Sequence, residues 1–230
     1  MSKKKVFAVL CLSLLLGIFS SQRARIFFRE SGSFLYALVK NPKRIGAVIP
    51  SSSFLSSTIV KKIEKKDNPI KILEVGAGTG AFTEKIVQKM GDQDLLDVIE
   101  LDSNLCDILR KKFGTHKNVK IHCLSILDFK TDNVYDFIIS GLPFNAFGSD
   151  LVSSIVNKYK HLIKNNGIVS YFEYMLTANI RKFFSMGKKR VDFVRSMKIL
   201  ENFRKKFLIE RNRVFLNVPP AYTYHLQIKK

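Results

Sequence analysis

Three glycines at alternate positions, Gly76, Gly78 and Gly80, follow the β-prone run Ile72-Leu73-Glu74-Val75 and precede a helix-prone one. Without Cβ atoms such a turn bends sharply and lets a ligand approach its backbone, while the start of the next helix offers N–H groups that no helical carbonyl satisfies. The turn therefore reads as the seat of a bound small molecule. Its GxGxG spacing, with the acidic Glu74 inside the strand, differs from the GxGxxG of dinucleotide sites. Twenty residues after Gly80 a second β-prone run ends in Val98-Ile99-Glu100-Leu101-Asp102. This sets a carboxylate at the carboxyl edge of the same sheet, where it can accept hydrogen bonds from ribose hydroxyls. Glu100 is the ribose candidate, and Asp102 serves equally well as a helix cap.

A site at strand ends needs strands in a fixed order. From Lys71 onward, short β-rich runs alternate with longer amphipathic ones. Strands are predicted over Lys71–Val75, Leu96–Glu100, Val119–Cys123, Asp136–Ser140 and Ile168–Tyr174, with helices over Phe82–Met90, Ser103–Phe113 and Asp150–Ile163 between them. Strands joined by helical crossovers form βαβ units and a mostly parallel, buried sheet, so the fold class is α/β. Arg213–Asn217 and Tyr222–Ile228 flank Pro219-Pro220 and read as a final antiparallel strand pair. Upstream, Ile49-Pro50-Ser51-Ser52-Ser53 turns into a serine-capped helix over Phe54–Lys65, ended by Asp67-Asn68-Pro69.

The 230 residues are 46% apolar and 25% charged, enough for one core of ordinary size. One run is strongly apolar: Val6 to Ser20, fifteen uncharged residues between Lys3-Lys4-Lys5 and Arg23. It is shorter than the ~20 residues that span a bilayer, and reads either as a signal-peptide core or as a retained anchor or interfacial segment. From Arg23 to Lys40, basic residues interleave with aromatic and aliphatic ones, which suits a helix lying on an anionic surface or one packed on the domain. The chain thus divides into an apolar segment (1–22), basic amphipathic helices (23–66) and an α/β domain (67–230).

The composition excludes a disordered chain, a disulfide scaffold and a polytopic membrane protein. With 39 basic and 19 acidic residues the net charge is +20, which points to a polyanionic partner, nucleic acid or anionic lipid. Ten of the basic residues fall between Arg181 and Lys206, interleaved with Phe183, Phe184, Phe193 and Phe203. Cys11, Cys106 and Cys123 are an odd set in apolar surroundings; they are expected as free thiols, which suits a reducing compartment.

With Glu74 before its three glycines, the turn resembles motif I of class I S-adenosylmethionine-dependent methyltransferases, a Rossmann-like fold. The resemblance implies that Glu74, Gly76, Gly78, Gly80 and Glu100 bind S-adenosyl-L-methionine. In that family an acidic residue after the third strand holds the adenine amino group; the matching stretch here, Ile121 to Asp128, offers Ser125, a weaker acceptor that Asp128 can replace. The fourth strand ends Ile139-Ser140-Gly141-Leu142-Pro143-Phe144-Asn145, where enzymes that methylate nitrogen place their acceptor loop, so Ser140 and Gly141 join the site. Enzymes that methylate adenine carry Asn or Asp at the position of Gly141, to accept the amino protons of the base.

From Phe34 on, the chain resembles the bacterial soluble-type phospholipid N-methyltransferases, relatives of the ribosomal RNA adenine dimethyltransferases. The matching segments are Gly46-Ala47-Val48-Ile49-Pro50-Ser51-Ser52, Ser140-Gly141-Leu142-Pro143 and Asn217-Val218-Pro219-Pro220-Ala221. This implies transfer of methyl groups to the amine of phosphatidylethanolamine, towards phosphatidylcholine, at the cytoplasmic face of an anionic membrane and in preference to nucleic acid. Phe144 and Tyr174 are then the catalytic candidates, because aromatic rings hold a methylated ammonium by cation–π contact. Tyr171, Glu173, Tyr222, Tyr224 and His225 are further polar groups nearby, with Glu173 on the opposite strand face from Tyr174 and His225 expected to be structural. No metal site is expected. Two alternatives stay open: an RNA adenine N-methyltransferase, which should keep an acid or amide at position 141, and a cofactor-fold module that binds without catalysis.

Overall fold

The computed structural model describes residues 51–64, 66–175, 188–217 and 219–230. The Val6–Ser20 run, the Arg23–Lys40 stretch and the first part of the basic tract, 181–187, lie outside the described residues. Among the described residues, seven strands form one sheet in the order β3-β2-β1-β4-β5-β7-β6. Strands β1 (Lys71–Val75), β2 (Leu95–Glu100), β3 (Val119–Cys123), β4 (Tyr135–Ser140) and β5 (Ile163–Tyr174) are parallel. β7 (Ala221–Ile228) runs antiparallel between β5 and β6 (Leu208–Val214). Helices α2 (Ala81–Val87), α3 (Ser103–Phe113) and α4 (Ser149–Leu162) make crossovers; α1 (Ser53–Ile59) precedes the sheet and α5 (Lys188–Phe207) leads into β6.

The central strands follow from composition. β4 is buried along its whole length and β1 at all but its first residue, as expected for parallel strands covered on both faces. α3 begins where Asp102 caps it, Oδ1 accepting from the N–H of Asn104 (2.9 Å) and Leu105 (3.3 Å). Of its two expected roles, Asp102 therefore takes the cap.

Several boundaries differ from the sequence expectation. α1 stops at Ile59 rather than Lys65, because the chain turns at Val60 to keep Ile63 buried and to bring Lys61 and Lys62 to Glu210. α2 ends at Val87, short of Met90. The last hairpin pairs Leu208–Val214, not Arg213–Asn217, with β7. That strand lies at the sheet edge, and its alternation of Glu210, Asn212 and exposed arginines hides its β character. The Lys188–Phe207 tract is a helix whose buried Phe193, Ser196, Leu200, Phe203 and Phe207 recur every three or four residues.

Two further expectations are corrected. α1 belongs to the α/β core: Leu55 and Ile59 are fully buried and the Ser52 N–H donates to Asn217 Oδ1 (3.0 Å), so no break in packing falls at residue 66. Cys106 and Cys123 are not free thiols but disulfide-bonded, with Cα atoms 5.9 Å apart, because α3 returns alongside β3. The support for a reducing compartment is thereby removed.

Candidate cofactor and acceptor site

β1 pairs with β2 on one side and β4 on the other, so the chain order reverses between them, and the crevice outside their carboxyl ends is where open α/β sheets take ligands. The register brings Val75 level with Ile99 and Ser140, Ile99 with His122, and Ser140 with Tyr171. The candidate residues that follow these positions therefore share one edge.

The glycine turn supplies the floor. Gly76, Gly78 and Gly80 have φ of 74°, 59° and 91°, a region that L side chains rarely enter. A Cβ on Gly76 would meet Leu142 at 2.7 Å and one on Gly80 would meet Phe113 at 2.6 Å, whereas one on Gly78 meets nothing within 4 Å. Packing thus encloses the outer two glycines, while the middle one faces open space.

Glu100 ends β2 beside this turn. Its Oε2 accepts the Gly78 N–H (2.8 Å), and Oε1 accepts the N–H groups of Leu101 (2.7 Å) and Asp102 (3.0 Å). Glu74, on β1 two residues before Gly76, is fully buried. Burial pushes its pKa up to about 8; Thr83 opposes the rise and the neighbouring Glu100 carboxylate adds to it. The Glu74 oxygens and the Thr83 hydroxyl nevertheless do not meet in ordinary hydrogen-bond geometry. An open face over Gly78, a buried carboxyl group and a second carboxyl group at the rim fit a ligand with both a ribose and an amino group.

The remaining candidates take different places. Ser125 shapes the turn after β3: its hydroxyl accepts from the Leu127 N–H (3.2 Å) and its carbonyl from Asp128 and Phe129. Ser140 is fully buried and accepts the Tyr159 hydroxyl proton (2.9 Å), which braces β4 against α4. Gly141 donates its N–H to Val75 O (2.8 Å), and a Cβ there would stand 2.3 Å from the Gly76 carbonyl oxygen. No side chain fits at 141 unless the ends of β1 and β4 part.

Phe144 is 2% exposed, packed edge-on against Tyr171 (5.4 Å between centroids), Tyr159 (6.4 Å) and Phe147 (6.4 Å). The geometry gives it a packing role and no open ring face. Tyr174, 9% exposed, borders a cavity of about 500 Å³ together with Glu173, Met197, Arg204, Tyr222 and Tyr224. Burial raises the Tyr174 pKa to about 12, so it stays a phenol. His225 is fully buried beside the Ser170 hydroxyl (2.8 Å), away from this cavity.

Arg204, on the cavity wall, was not singled out from the sequence, and it pairs with Glu173, which was. Arg204 Nη1 donates to Glu173 Oε1 (2.5 Å) and to the Tyr171 hydroxyl (3.1 Å), and its guanidinium lies 4.8 Å from the Tyr224 ring centroid. Strand pairing sets Glu173 opposite Tyr222 and Tyr171 opposite Tyr224, so all four share one face. Burial raises the Glu173 pKa against the pull of Arg204. The available signal was an acidic residue inside an otherwise apolar strand, together with an arginine next to the buried Phe203 stripe of α5.

This sheet order, with a glycine turn at the reversal point and an acidic end on β2, is that of a class I methyltransferase. The chain belongs to the ribosomal RNA adenine dimethylase family, which matches residues 40–173, more than half of its length. It is 27% identical over 199 residues to an ornithine lipid N-methyltransferase from Singulisphaera acidiphila, covering 83% of this chain and 92% of that protein. It is 26% identical to ribosomal RNA small subunit methyltransferase A from Pseudomonas fluorescens, over 77% of this chain and 64% of that protein. Among solved structures, the N-methyltransferase NodS from Bradyrhizobium japonicum with S-adenosyl-L-homocysteine superposes with a TM-score of 0.57 at 15% identity, covering 86% of this chain and 98% of that one. A putative O-methyltransferase from Klebsiella pneumoniae reaches 0.61 at 11% identity, over 86% and 90%. The chain is an S-adenosylmethionine-dependent N-methyltransferase, and S-adenosyl-L-methionine is its cofactor.

Proposed function

We propose that the acceptor is the primary amine of a membrane aminolipid, phosphatidylethanolamine first, methylated at the cytoplasmic face towards phosphatidylcholine. The observation that carries this is the closure at Gly141, where a side chain would collide with the Gly76 carbonyl at 2.3 Å. An adenine held there would lack the acceptor for its amino protons, and each unsatisfied polar group costs ~1–3 kcal/mol. An ethanolamine headgroup has no planar edge to be clamped. The likeness to an ornithine lipid N-methyltransferase over most of both chains supports an aminolipid acceptor.

When bound, S-adenosylmethionine supplies an electrophilic methyl group on a sulfonium centre. Glu74, Gly76, Gly78, Gly80 and Glu100 would hold it, with Ser125 towards the adenine. The attacking amine must be neutral and in line, so the chain has to hold the headgroup while its ammonium gives a proton to solvent water before methyl transfer. The cavity bordered by Tyr174 offers the means: the rings of Tyr222 and Tyr224, on one sheet face with the Glu173 carboxyl group, suit a cation that becomes permanently charged as methyl groups accumulate, while the Tyr174 ring packs on Phe172 on the other face. Phe144 supports this wall from beneath through Tyr171. Residues 1–22 serve in this proposal as a retained membrane segment, and the basic stretch after them as a surface contact.

The likeness to ribosomal RNA methyltransferases makes RNA the rival acceptor. Lipid extracts and ribosomal RNA from cells expressing the chain separate the two. New methylated aminolipids are expected, absent when Gly78→Val is expressed instead. Unchanged lipids beside newly methylated adenines in RNA would overturn the proposal.

A further inference from the structure

We infer that the carboxyl edge of the sheet is a bilayer-docking face, entered by the tip of the β6–β7 hairpin. The inference deepens the lipid proposal by naming the surface through which the site meets the membrane. Five large apolar side chains among the described residues are more than half exposed, from 53% at Val191 through Phe54, Phe215 and Leu216 to 73% at Leu101. Single exposed apolar residues are ordinary, but all five of these fall on one edge.

Their placement follows from the fold. Leu101 comes directly after the last residue of β2. β6 runs parallel to β5, both being antiparallel to β7, so Phe215 and Leu216 leave the sheet at its carboxyl edge. Phe54 stands there too, since Ser52 just before it donates to Asn217 just after Leu216. Val191 lies near the start of α5, where the adjacent Asp192 accepts from the Ser149 N–H at the start of α4 (2.9 Å). Met175 N donates to Pro220 O (2.8 Å), tying the hairpin loop to the end of β5 and hence to Tyr174 at the cavity.

The occupant this edge fits is an anionic phospholipid bilayer. Arg190, Arg195 and Lys198, within two helical turns of Val191 on α5, and Arg213 on β6, two residues before Phe215, are exposed, and the chain as a whole carries +20. Basic side chains at headgroup level around inserted apolar ones match both layers of a membrane interface. Nucleic acid would match the charge and leave Phe215 and Leu216 without a partner. Insertion of the hairpin tip brings the cavity beside Tyr174 to headgroup depth, where an amine need not leave the bilayer to be reached.

The chain contains no tryptophan, so Phe215→Trp creates a sole indole reporter. The full-length variant is mixed with phosphatidylglycerol–phosphatidylethanolamine vesicles containing acyl-brominated lipid. The expected result is a blue-shifted, bromine-quenched emission, while Leu208→Trp at the opposite edge stays unshifted and unquenched. Phe215→Glu with Leu216→Glu should weaken vesicle sedimentation at least tenfold while circular dichroism is unchanged. Two results would overturn the inference: sedimentation of the Phe215→Trp variant with unshifted emission, which places binding elsewhere on the chain, or a concentration-dependent blue shift without vesicles, which makes a second copy the occupant. An indole buried in the bilayer with no lipid methylated would leave docking standing and remove the acceptor proposal; lipid methylated with the indole in water would do the reverse.

Discussion

The backbone N–H of Gly78 donates to Glu100 Oε2 at 2.8 Å, so the acidic end of β2 holds the middle of the glycine turn that leaves β1. The same carboxyl group gathers two further N–H groups, from Leu101 and Asp102. One side chain thereby fixes the shape of two adjacent strand ends and the rim of the crevice between them.

Glu100→Gln would replace part of this acceptor set with a donor. It should lower stability by ~1–3 kcal/mol and weaken binding of S-adenosylmethionine. In Gly78→Val the added Cβ meets nothing within 4 Å, but the change forces a β-branched residue to φ 59° and fills the open side of the turn. Calorimetric titration should show binding reduced in the first variant and lost in the second; unchanged affinity in both would remove the crevice as the cofactor site.

Glu74 makes the fold sensitive to pH. Its carboxyl group, near 4.5 when unfolded, is raised to about 8 by burial in the ligand-free fold. Below pH 4.5 both states hold the proton and its stabilising contribution is complete. As pH rises towards 8 the unfolded chain releases the proton that the fold retains, and that contribution is lost. Denaturant midpoints of the ligand-free protein at about pH 5 and about pH 8 should therefore differ more than those of Glu74→Gln. Equal differences would show that Glu74 titrates normally.

Gly141→Ala tests whether backbone packing sets this position. With only 2.3 Å between the new methyl group and the Gly76 carbonyl oxygen, the strand ends must separate, at a cost of ~1–3 kcal/mol. A melting temperature equal to that of the parent would show that the crevice relaxes freely and could admit the Asn of an adenine enzyme.

The Glu173–Arg204 pair is buried enough that losing one member strands the other. Arg204→Met alone should destabilise by ~3–5 kcal/mol, and adding Glu173→Gln should restore much of the loss. Urea unfolding of the two single variants and the double variant measures the coupling. Additive losses would mean the pair is held by its surroundings and contributes no mutual energy.

The site was most legible where one residue type has one physical use. Glycines at alternate positions after an apolar strand located the turn, and strand periodicity placed Glu100 at its rim. Phe144 was ambiguous, because an aromatic ring after a strand suits a core and a ligand contact equally; only the surrounding Tyr159 and Tyr171 decide it. Arg204 was hidden among ten basic residues, since charge alone does not say which one turns inward. The Cys106–Cys123 bond depends on α3 and β3 lying side by side, a long-range contact that neither local sequence contains.

Methyl transfer from labelled S-adenosylmethionine, offered anionic vesicles containing phosphatidylethanolamine alongside ribosomal RNA, tests the proposed chemistry most directly. The expected result is label in mono- and dimethylated phosphatidylethanolamine, strongly reduced in Tyr174→Ala, with negligible label in RNA. Label in RNA and none in the vesicles would contradict it.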